Sequence, residues 1–535
     1  MKAAKPEERG NGMEKRKHGG GGGGGTFEVD RVRKGEEKAI ANQVVSPVQS
    51  VHSSTCGEIS ASARGRVHVE DQGEENKQKE NGGVNNEQVE CASQSKEQQM
   101  REVEKSLAHV EGQGEESMQK ENGGVSNEQL ECASKGKEQQ VKEAEQSLLM
   151  PPPAPDLPRA LKRRRCENVV LMFSQHYMVT CQLLAANKQR DLLLYHLLNA
   201  CGLMQRIKVV APMKATERHL LVYHAKAYLE ALKSPPDPED LAALEEFNLL
   251  DDCSVFKGLW GYCCSVAGAS LHAASFLVRG ACDTAINWGG GRHHARKDKA
   301  GGYCFVNDIN LAILHLLKRF RRVLYIDLDV HHSDGVEEAF FVSDRVLHIS
   351  IHHHAQGFFP GSGHFKATGS GRGANHNLNI SLAEGCSDAT WLKVFMHTFQ
   401  AAMGHFRPQA ICLQCGADGL SDDNLGPWNL TTRGYEQAVT KVAEQKLPLL
   451  VLGGGGYCRT ATARLWTVLT SALSGLSSDM CTQSVPEHEY FPLYAPDFSL
   501  HTRAKSMEDK NSPDVIARVL RFVEVTLGKM KPPVA

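Results

Sequence analysis

From Asn168 onward, the sequence predicts an α/β fold built around a parallel β-sheet. Short apolar runs, each long enough for one buried strand, alternate with longer amphipathic segments. This alternation is typical of repeated strand–helix units. Asp, His and Gly residues occur where several of the apolar runs end, and sites in parallel sheets form beyond the carboxyl ends of the strands. We therefore expect one functional site along that edge of the sheet.

The apolar runs and amphipathic segments predict the individual elements. The predicted strands are residues 168–173, 207–212, 284–287, 323–327, 346–351, 409–415 and 448–453. The predicted helices are residues 266–278, 307–318, 389–403 and 432–445. Because helices separate many of the strands, the strands are expected to pair in parallel.

The first 165 residues differ in composition from the rest. All five Trp and all eleven Tyr occur at or after Tyr177, whereas residues 1–165 are rich in Glu, Gln, Lys, Ser, Asn and Gly. Such a segment cannot bury enough apolar surface to offset the entropy of ordering it. It contains a tandem duplication with a 41-residue offset, from Gly73 to Gly114, and ends in a basic cluster at 162–165. We predict a disordered low-complexity tail, whose basic cluster is either a nuclear import signal or a solvated turn.

Charge and cysteine content narrow the class of protein. A formal net charge of −2 gives no general attraction to nucleic acid or acidic membranes. The sixteen cysteines follow no regular spacing, and we find no apolar stretch long enough to span a bilayer and no signal sequence. These features predict a reduced intracellular compartment, without membrane binding or direct sequence-specific nucleic-acid binding.

Carboxylates and imidazoles are concentrated after the fourth predicted strand. Asp327, Asp329, His331 and Asp334 occur within eight positions, and Asp418 ends another strand. Extended residues alternate faces, so the first three should leave the strand on one side. Asp329, His331 and Asp418 would form a three-ligand site with open positions, as a catalytic metal requires. Zinc suits these ligands, although iron or manganese is not excluded, and the competing interpretation is that the acids only cap helices.

Two further strand ends carry catalytic candidates. His293 and His294 follow a glycine-rich turn, and an adjacent pair beside a metal can supply a general base and a general acid. Asp327 and Asp334 are not needed as ligands and can orient these imidazoles. Tyr457 follows four glycines, on a loop that can bring its phenol to a developing oxyanion, although the same loop could be a turn with a packed Tyr.

Six ordered signatures between about Asn168 and His501 closely resemble those of the class I zinc-dependent histone deacetylases. They are INWGGGRHHARKDKAGGYCFVND, VLYIDLDVHHSDGVEEAF, HISIHHHAQGFFPGSG, LQCGADGLSDDNLGPWNLT, VLGGGGYCRTATARLWT and YFPLYAPDFSLH. The resemblance implies the arginase/deacetylase fold, a single domain with a central parallel sheet of about eight strands flanked by helices. It also implies a catalytic domain at 166–505, followed by a C-terminal helix and short tail at 506–535.

The resemblance assigns a role to each candidate residue. Zinc would be held by Asp329, His331 and Asp418, with His293 and His294 beside the water and Tyr457 at the oxyanion. The implied acetyl-lysine tunnel and rim are formed by Gly302, Tyr303, Phe359, Leu425 and Asp252. Arg190 matches an arginine of the family's inner exit channel. Potassium is implied at Asp327, Asp329, His331, Ser350 and Ile351.

Several residues depart from the family pattern. Ser254 replaces a rim proline, Tyr303 replaces a tunnel Phe, and Ser333 stands where a glycine would be freer in φ. His376 replaces a Tyr near a second potassium site, which puts that site in doubt. Cys304, beside the tunnel, is a candidate redox-sensitive thiol.

Two other patterns look like metal motifs. In the run His352-His353-His354, only His352 has a counterpart in the family, and we expect the other two side chains to be exposed. Cys412 and Cys415 form a C-x-x-C within an apolar strand, without a second pair at matching spacing, so we expect buried thiols.

The sequence is compatible with three candidate functions. The first is hydrolysis of N6-acetyl-lysine on histone tails or other acetylated proteins, alone or within a corepressor complex. The second is deacetylation of acetylpolyamines or other small amides, which Leu425 disfavours because polyamine-cleaving relatives tend to place an acidic residue near the tunnel mouth. The third is a non-catalytic scaffold, which the complete set of candidate residues disfavours. The usual location of the family and the basic cluster both indicate a nuclear protein, and a cytoplasmic location remains an alternative.

Overall fold

The computed structural model of the protein describes residues 166–476 and 483–530. The predicted tail, its duplication and its basic cluster therefore lie outside the described residues. The strands are β1 (Cys166–Met172), β2 (Ile207–Val210), β3 (Thr284–Asn287), β4 (Val323–Asp327), β5 (Val346–His353), β6 (Asn377–Leu382), β7 (Ala410–Gln414) and β8 (Leu449–Leu452). They form one sheet in the order β2-β1-β3-β8-β7-β4-β5-β6, in which every pair is parallel.

Helices cover both faces of this sheet. They are α1 (Gln175–Cys181), α2 (Arg190–Ala200), α3 (Glu217–Leu220), α4 (Lys226–Lys233), α5 (Leu241–Glu246), α6 (Leu259–Val278), α7 (Asp308–Leu316), α8 (Asp334–Phe340), α9 (Asp388–Phe406), α10 (Thr432–Ala443), α11 (Arg459–Leu473) and α12 (Pro513–Gly528). The predicted fold class, a single eight-stranded parallel sheet flanked by helices, is confirmed.

The core has two layers because neighbouring residues of a strand face opposite sides. In β4, Leu324 and Ile326 pack into a layer with helices α2 and α9–α12. Val323 and Tyr325 pack into the other layer, with α6 and α7. All four side chains are fully buried. This two-sided burial explains why the strands read as continuous apolar runs.

Strand β6 (Asn377–Leu382) is the one strand of the sheet that the sequence analysis missed. Its apolar residues alternate with Asn377 and Asn379, which weaken the apolar signal. Both asparagines are nevertheless buried, and their side-chain amides donate to Glu337 Oε2 at 2.8 and 2.6 Å. A buried polar partner from another element can only be recognised once the fold is known.

Helix α6 corrects one expectation. Its 20 residues have a mean hydropathy of 1.3, which is long and apolar enough for a membrane span by length and composition alone. This helix contradicts the prediction that the chain has no apolar stretch long enough to span a bilayer. About 67% of this helix window is buried, and α6 packs against α7 and β3 inside the domain. The apolar character of α6 is that of a core helix.

Candidate active site

Four neighbouring strands of the sheet, β3, β8, β7 and β4, end at the same edge. The loop after β3 carries His293 and His294, and the loop after β8 carries Tyr457. Asp418 follows β7, and the remaining candidates follow β4. Because parallel strands share one carboxyl edge, residues from four distant parts of the chain meet there.

Asp329, His331 and Asp418 form a compact buried group. One ligand atom from each lies within 4.8 Å of the others. His331 Nδ1 is 3.0 Å from Asp329 Oδ1 and 3.0 Å from Asp418 Oδ2. Among the described residues, this is the one group of acidic, His or Cys side chains arranged to hold a metal ion. The alternative in which these acids merely cap helices does not account for the convergence.

The charges of this group favour a bound cation. Burial and the charge of Asp329 raise the pKa of Asp418 to about 8. Burial also raises the pKa of Asp329, but His293 and His331 outweigh it and hold that pKa well below its ordinary value. A cation between the two carboxylates would stabilise the ionised form of both. Two carboxylates and one imidazole therefore fit a zinc ion.

Neighbouring groups fix the orientation of the two carboxylates. Asp329 Oδ2 accepts hydrogen bonds from Gln414 Nε2 and from the Gly455 backbone N–H, both at 2.9 Å. Asp418 Oδ1 accepts from the Val330 N–H at 2.9 Å. Gln414 ends β7, and the sequence analysis did not identify it because a lone Gln in an apolar strand carries no chemical pattern. Such partners fix the direction in which a ligand oxygen points.

The two histidines have separate carboxylate partners, as the sequence predicts. His293 Nδ1 is 2.9 Å from Asp327 Oδ2, and His294 Nδ1 is 2.7 Å from Asp334 Oδ1. Their ring centroids are 3.9 Å apart. Each Nδ1 is thus occupied by a carboxylate, which leaves Nε2 of each ring available for proton transfer.

The environments of the two histidines are unequal. Burial lowers the pKa of His293, but Asp327 and Asp329 outweigh it and raise that pKa to about 9. Burial and the neighbouring His293 lower the pKa of His294 to about 4. Titratable groups whose surroundings separate their pKa values are typical of acid–base sites.

Secondary contacts support both carboxylates. Tyr325 donates its hydroxyl to Asp327 Oδ2, and the Asp329 N–H donates to Asp327 Oδ1 at 3.0 Å. Arg296 Nη2 donates to Asp334 Oδ2 at 3.0 Å. Tyr325 and Arg296 were not singled out from the sequence, since neither has a motif of its own.

The loop that carries Tyr457 is fixed by a carboxylate that the sequence analysis also missed. Asp423 Oδ2 accepts hydrogen bonds from the backbone N–H groups of Tyr457 at 2.7 Å and Cys458 at 3.1 Å. Asp423 Oδ1 accepts from Leu425 N at 2.9 Å. One buried side chain therefore positions both Tyr457 and Leu425.

Glycine is required where this loop approaches the ligand group. A Cβ atom on Gly455 would lie 2.0 Å from Asp418 Oδ2.

Burial and the charges of Asp418 and Asp329 raise the pKa of Tyr457 well above its ordinary value. The phenol therefore stays protonated and able to donate a hydrogen bond.

Two aromatic residues, Phe359 and Tyr303, contact residues of the site. Phe359 lies 4.8 Å from the His294 ring, centroid to centroid, and 43% of its surface is exposed. The Tyr303 and Tyr457 rings lie 5.8 Å apart. A Cβ atom on Gly302 would lie 2.4 Å from His294 Cδ2, so this position also needs glycine.

The two remaining rim candidates are Leu425 and Asp252. Leu425 is 47% exposed, and its backbone is held by Asp423. Asp252 is half-buried in the short turn Asp251–Cys253. Neither side chain makes a hydrogen bond or ring contact with the His pair or the ligand group within the described parts of the chain.

Arg190 is buried beside the site. Its guanidinium lies 4.7 Å from the centre of the Trp466 ring, and Nη1 donates to Gly454 O at 3.0 Å. Arg190 lines one cavity together with His293 and Tyr457. Its Nε and Nη2 atoms have no hydrogen-bond partner among the described residues. A buried guanidinium that retains free N–H donors beside a cavity can bind an anion.

Ser350 and Ile351 lie on β5, where Ser350 pairs in register with Asp327. The pairing places Ser350 of β5 beside the end of β4, where Asp327 lies. Ser333 has an ordinary φ of −80°, so its position does not need glycine. Its hydroxyl hydrogen-bonds with His348 Nε2 at 2.9 Å. His376 is buried, and its Nδ1 hydrogen-bonds with Ala374 O.

The structure tests the predictions made for the C-x-x-C pair, the histidine run and Cys304. Cys412 and Cys415 are fully buried thiols, as expected. The expected exposure of His353 was wrong, because β5 extends through His353, whose Nδ1 hydrogen-bonds with Leu382 O; His354 is half-buried. Cys304 is buried, and burial raises its pKa to about 12, which argues against a redox-sensitive thiolate.

Comparison with known proteins identifies the family. The profile of the histone deacetylase domain matches residues 184–473, more than half of the chain. The chain belongs to the histone deacetylase family. It is accordingly a deacetylase, a hydrolase of a family that is generally zinc-dependent, and the expected family membership is confirmed.

Curated relatives support the same assignment. Histone deacetylase 19 of Arabidopsis thaliana is 42% identical over 333 residues, which cover 62% of this chain and 66% of the relative. Histone deacetylase 8 of Danio rerio is 38% identical over 369 residues, which cover 68% of this chain and 96% of the relative. Histone deacetylase RPD3 of Saccharomyces cerevisiae is 39% identical over 333 residues, which cover 62% of this chain and 76% of the relative.

The position of Asp423 generates a prediction for this deacetylase. In Asp423→Asn, one carboxylate oxygen becomes an amide NH₂ group, which would face either the N–H donors of Tyr457 and Cys458 or that of Leu425. In both orientations a buried donor is left unpaired and the loop loosens. We expect kcat on an acetyl-lysine peptide to fall about tenfold, because the loop that carries Tyr457 is left with an unpaired buried donor, at a cost of about 1–3 kcal/mol. The matched control is Asp422→Asn, because Asp422 is more exposed. Equal turnover in both variants and the parent would contradict the positioning role.

Proposed function

We propose that this histone deacetylase hydrolyses N6-acetyl-lysine on histones or other proteins and releases acetate, using one zinc ion. The observation that carries the proposal is the convergence of Asp329, His331 and Asp418 beside the paired histidines and Tyr457. Three protein ligands leave positions open for water and substrate, as catalytic zinc sites require. Iron remains the alternative metal, because the same ligand types accept it.

The bound metal ion would lower the pKa of water and polarise the acetamide carbonyl. The protein's residues supply the remaining functions. A histidine of the pair, His293 or His294, takes the proton at Nε2 as water attacks the carbonyl carbon. A protonated histidine of the pair then gives a proton to the departing lysine amine. Asp327 and Asp334 hold the rings through Nδ1 in the orientation that this transfer needs.

Tyr457 is proposed to donate its hydroxyl hydrogen to the oxyanion of the tetrahedral intermediate. Its raised pKa favours this role, since the donor stays protonated at neutral pH. The glycines before it let the backbone approach the ligand group, and Asp423 holds the loop. A donor fixed in advance at the site of developing charge lowers the barrier without reorganisation.

The substrate and product paths follow from the residues around the site. The neutral acetyl-lysine stem would lie between Tyr303 and Phe359, where each buried methylene contributes roughly 0.8 kcal/mol. Leu425 would border the mouth, and Asp252 would accept hydrogen bonds from the substrate backbone. Arg190, whose Nε and Nη2 atoms have no hydrogen-bond partner in the described part of the chain, would bind acetate as it leaves.

Potassium is proposed as a second ion. Its ligands would be Asp327, Asp329, His331, Ser350 and Ile351, largely through backbone oxygen atoms. The register pairing of Asp327 with Ser350 supports this location, because it brings two of these residues side by side.

The apolar mouth favours protein substrates over acetylpolyamines. Phe359 and Leu425 are both more than 40% exposed, and a polycationic substrate would gain nothing from them. The complete set of ligands, histidines and Tyr457 also argues against a silent scaffold. Acetylated histone tails or other acetylated proteins are therefore the proposed partners, with a corepressor complex as a further partner.

The domain organisation and the location in the cell are proposals as well. We propose a catalytic domain at 166–505, followed by a C-terminal helix and short tail at 506–535. The low-complexity tail at 1–165 lies outside the described residues. Nuclear placement is proposed from the family and from the basic cluster at 162–165, while cytoplasmic protein is also compatible with the sequence.

The mechanism predicts the effects of two substitutions. Tyr457→Phe should lower kcat by about 10²–10³-fold through loss of the oxyanion donor. His294→Ala should lower it by about 10²–10⁴-fold through loss of acid–base function. Tyr195→Phe and His397→Ala serve as matched controls, because these residues lie outside the site. Turnover on an acetyl-lysine peptide is measured for all four, and parental rates for Tyr457→Phe and His294→Ala would refute the mechanism.

Nuclear placement predicts the effect of a deletion. Removing residues 162–165 from the full chain fused to a fluorescent protein should reduce the nuclear signal, because the import signal is lost. The control removes four residues elsewhere in the tail, 93–96. An unchanged nuclear signal would eliminate the cluster as the import signal.

A further inference from the structure

A second cavity lies at the opposite edge of the sheet, where β4 and β5 begin. Arg322 immediately precedes β4, and Arg345 immediately precedes β5. Both line a cavity of about 440 Å³, a volume in the range of small-molecule sites. Strand β4 has five residues, so this cavity and the active site are separated by on the order of 15 Å.

The wall of this cavity is strongly basic. Its charged lining consists of five cations, Arg321, Arg322, Arg345, Arg372 and Lys529, and one carboxylate. That carboxylate, Asp344, is already paired with Arg372 Nη2 at 2.8 Å. The remaining four cations have no carboxylate partner among the described residues. His376 and His405 add ring nitrogens to the same wall.

Main-chain carbonyl groups hold two of the arginines without neutralising them. Arg345 Nη2 donates to Leu317 O at 2.7 Å, and its Nε donates to Arg321 O at 3.2 Å. Arg322 Nε donates to Arg407 O at 2.9 Å. Burial and the charges of Arg321 and Arg407 lower the pKa of Arg322. Like charges are therefore held close together, an arrangement that a bound anion would stabilise.

Two other cations are free to reach a ligand. The Arg321 guanidinium and the Lys529 ammonium are exposed and make no hydrogen bond or ion pair within the described residues. Fixed guanidinium groups combined with free cations suit phosphate oxygens, which arginine binds in a bidentate manner. The concave shape favours a compact anion over an extended duplex, which would need a continuous surface.

We propose that this cavity binds a compact anion that carries several phosphate groups. Inorganic polyphosphate and a nucleoside polyphosphate share this chemistry. Neither would touch the catalytic residues, because the cavity lies at the amino ends of the strands and the active site at their carboxyl ends. The proposal thus goes beyond the deacetylase reaction and is independent of it.

The test uses the full chain and isothermal titration calorimetry with inorganic tripolyphosphate and, separately, adenosine triphosphate. We expect one site per chain and affinity that falls as salt is added, since exposed charges are screened. Arg321→Gln/Lys529→Gln should weaken binding by about tenfold or more, because two charge-assisted contacts are lost. The control Arg218→Gln/Lys226→Gln removes the same charge from exposed positions outside the cavity.

The relative affinities of the two phosphates identify the part of the ligand that the cavity recognises. Equal affinity assigns the recognition to the phosphate groups, and tighter binding of adenosine triphosphate adds the nucleoside; both support the proposal. No binding, or equal weakening in the control, would overturn it. Tighter binding of a short DNA duplex that the cavity substitutions abolish would also overturn it, in favour of an extended polyanion. Deacetylase turnover and thermal midpoint should stay parental in both double variants.

Discussion

Two carboxylates, Asp329 and Asp418, lie in the interior of the domain within 3.0 Å of the same imidazole nitrogen of His331. Both are almost completely buried, and buried charges are costly unless they are paired or bound to a metal. Gln414, the Gly455 N–H and the Val330 N–H satisfy their outer oxygens. The neighbouring residues of the site therefore serve to stabilise and orient these two buried carboxylates.

The order of the strands makes the arrangement attainable. Because β8 and β7 lie between β3 and β4, loops from opposite ends of the domain's sequence converge at one edge. The two layers of apolar side chains hold these strands rigidly, so each loop starts from a fixed point. Rigid elements are what keep catalytic groups within a fraction of an ångström of a productive geometry.

Much of the fold and the site could be predicted from the sequence. Continuous apolar runs revealed the buried strands, and unusual densities of Asp, His and Gly revealed the loops that follow them. Strand β6 escaped because Asn377 and Asn379 interrupt its apolar pattern. His353 was misjudged because two-sided burial removes the exposed face that alternation implies.

The supporting residues were harder to foresee. Asp423 and Gln414 act through contacts with parts of the chain that are distant in sequence or hidden in an apolar run. The basic cavity is lined by residues at the starts of β4 and β5 and after α12. These segments are distant in sequence, so no local sequence motif predicts the cavity. These features depend on tertiary proximity, which periodicity and motif spacing do not encode.

The central claim is that Asp329, His331 and Asp418 hold one catalytic metal ion, whose charge balances the two buried carboxylates. Elemental analysis of purified, active protein by inductively coupled plasma mass spectrometry tests it most directly, with Asp418→Ala analysed in parallel. The account predicts about one transition-metal ion per chain in the parent, with zinc first and iron second, and near-complete loss in the variant. An active parent that contains no transition metal would contradict it.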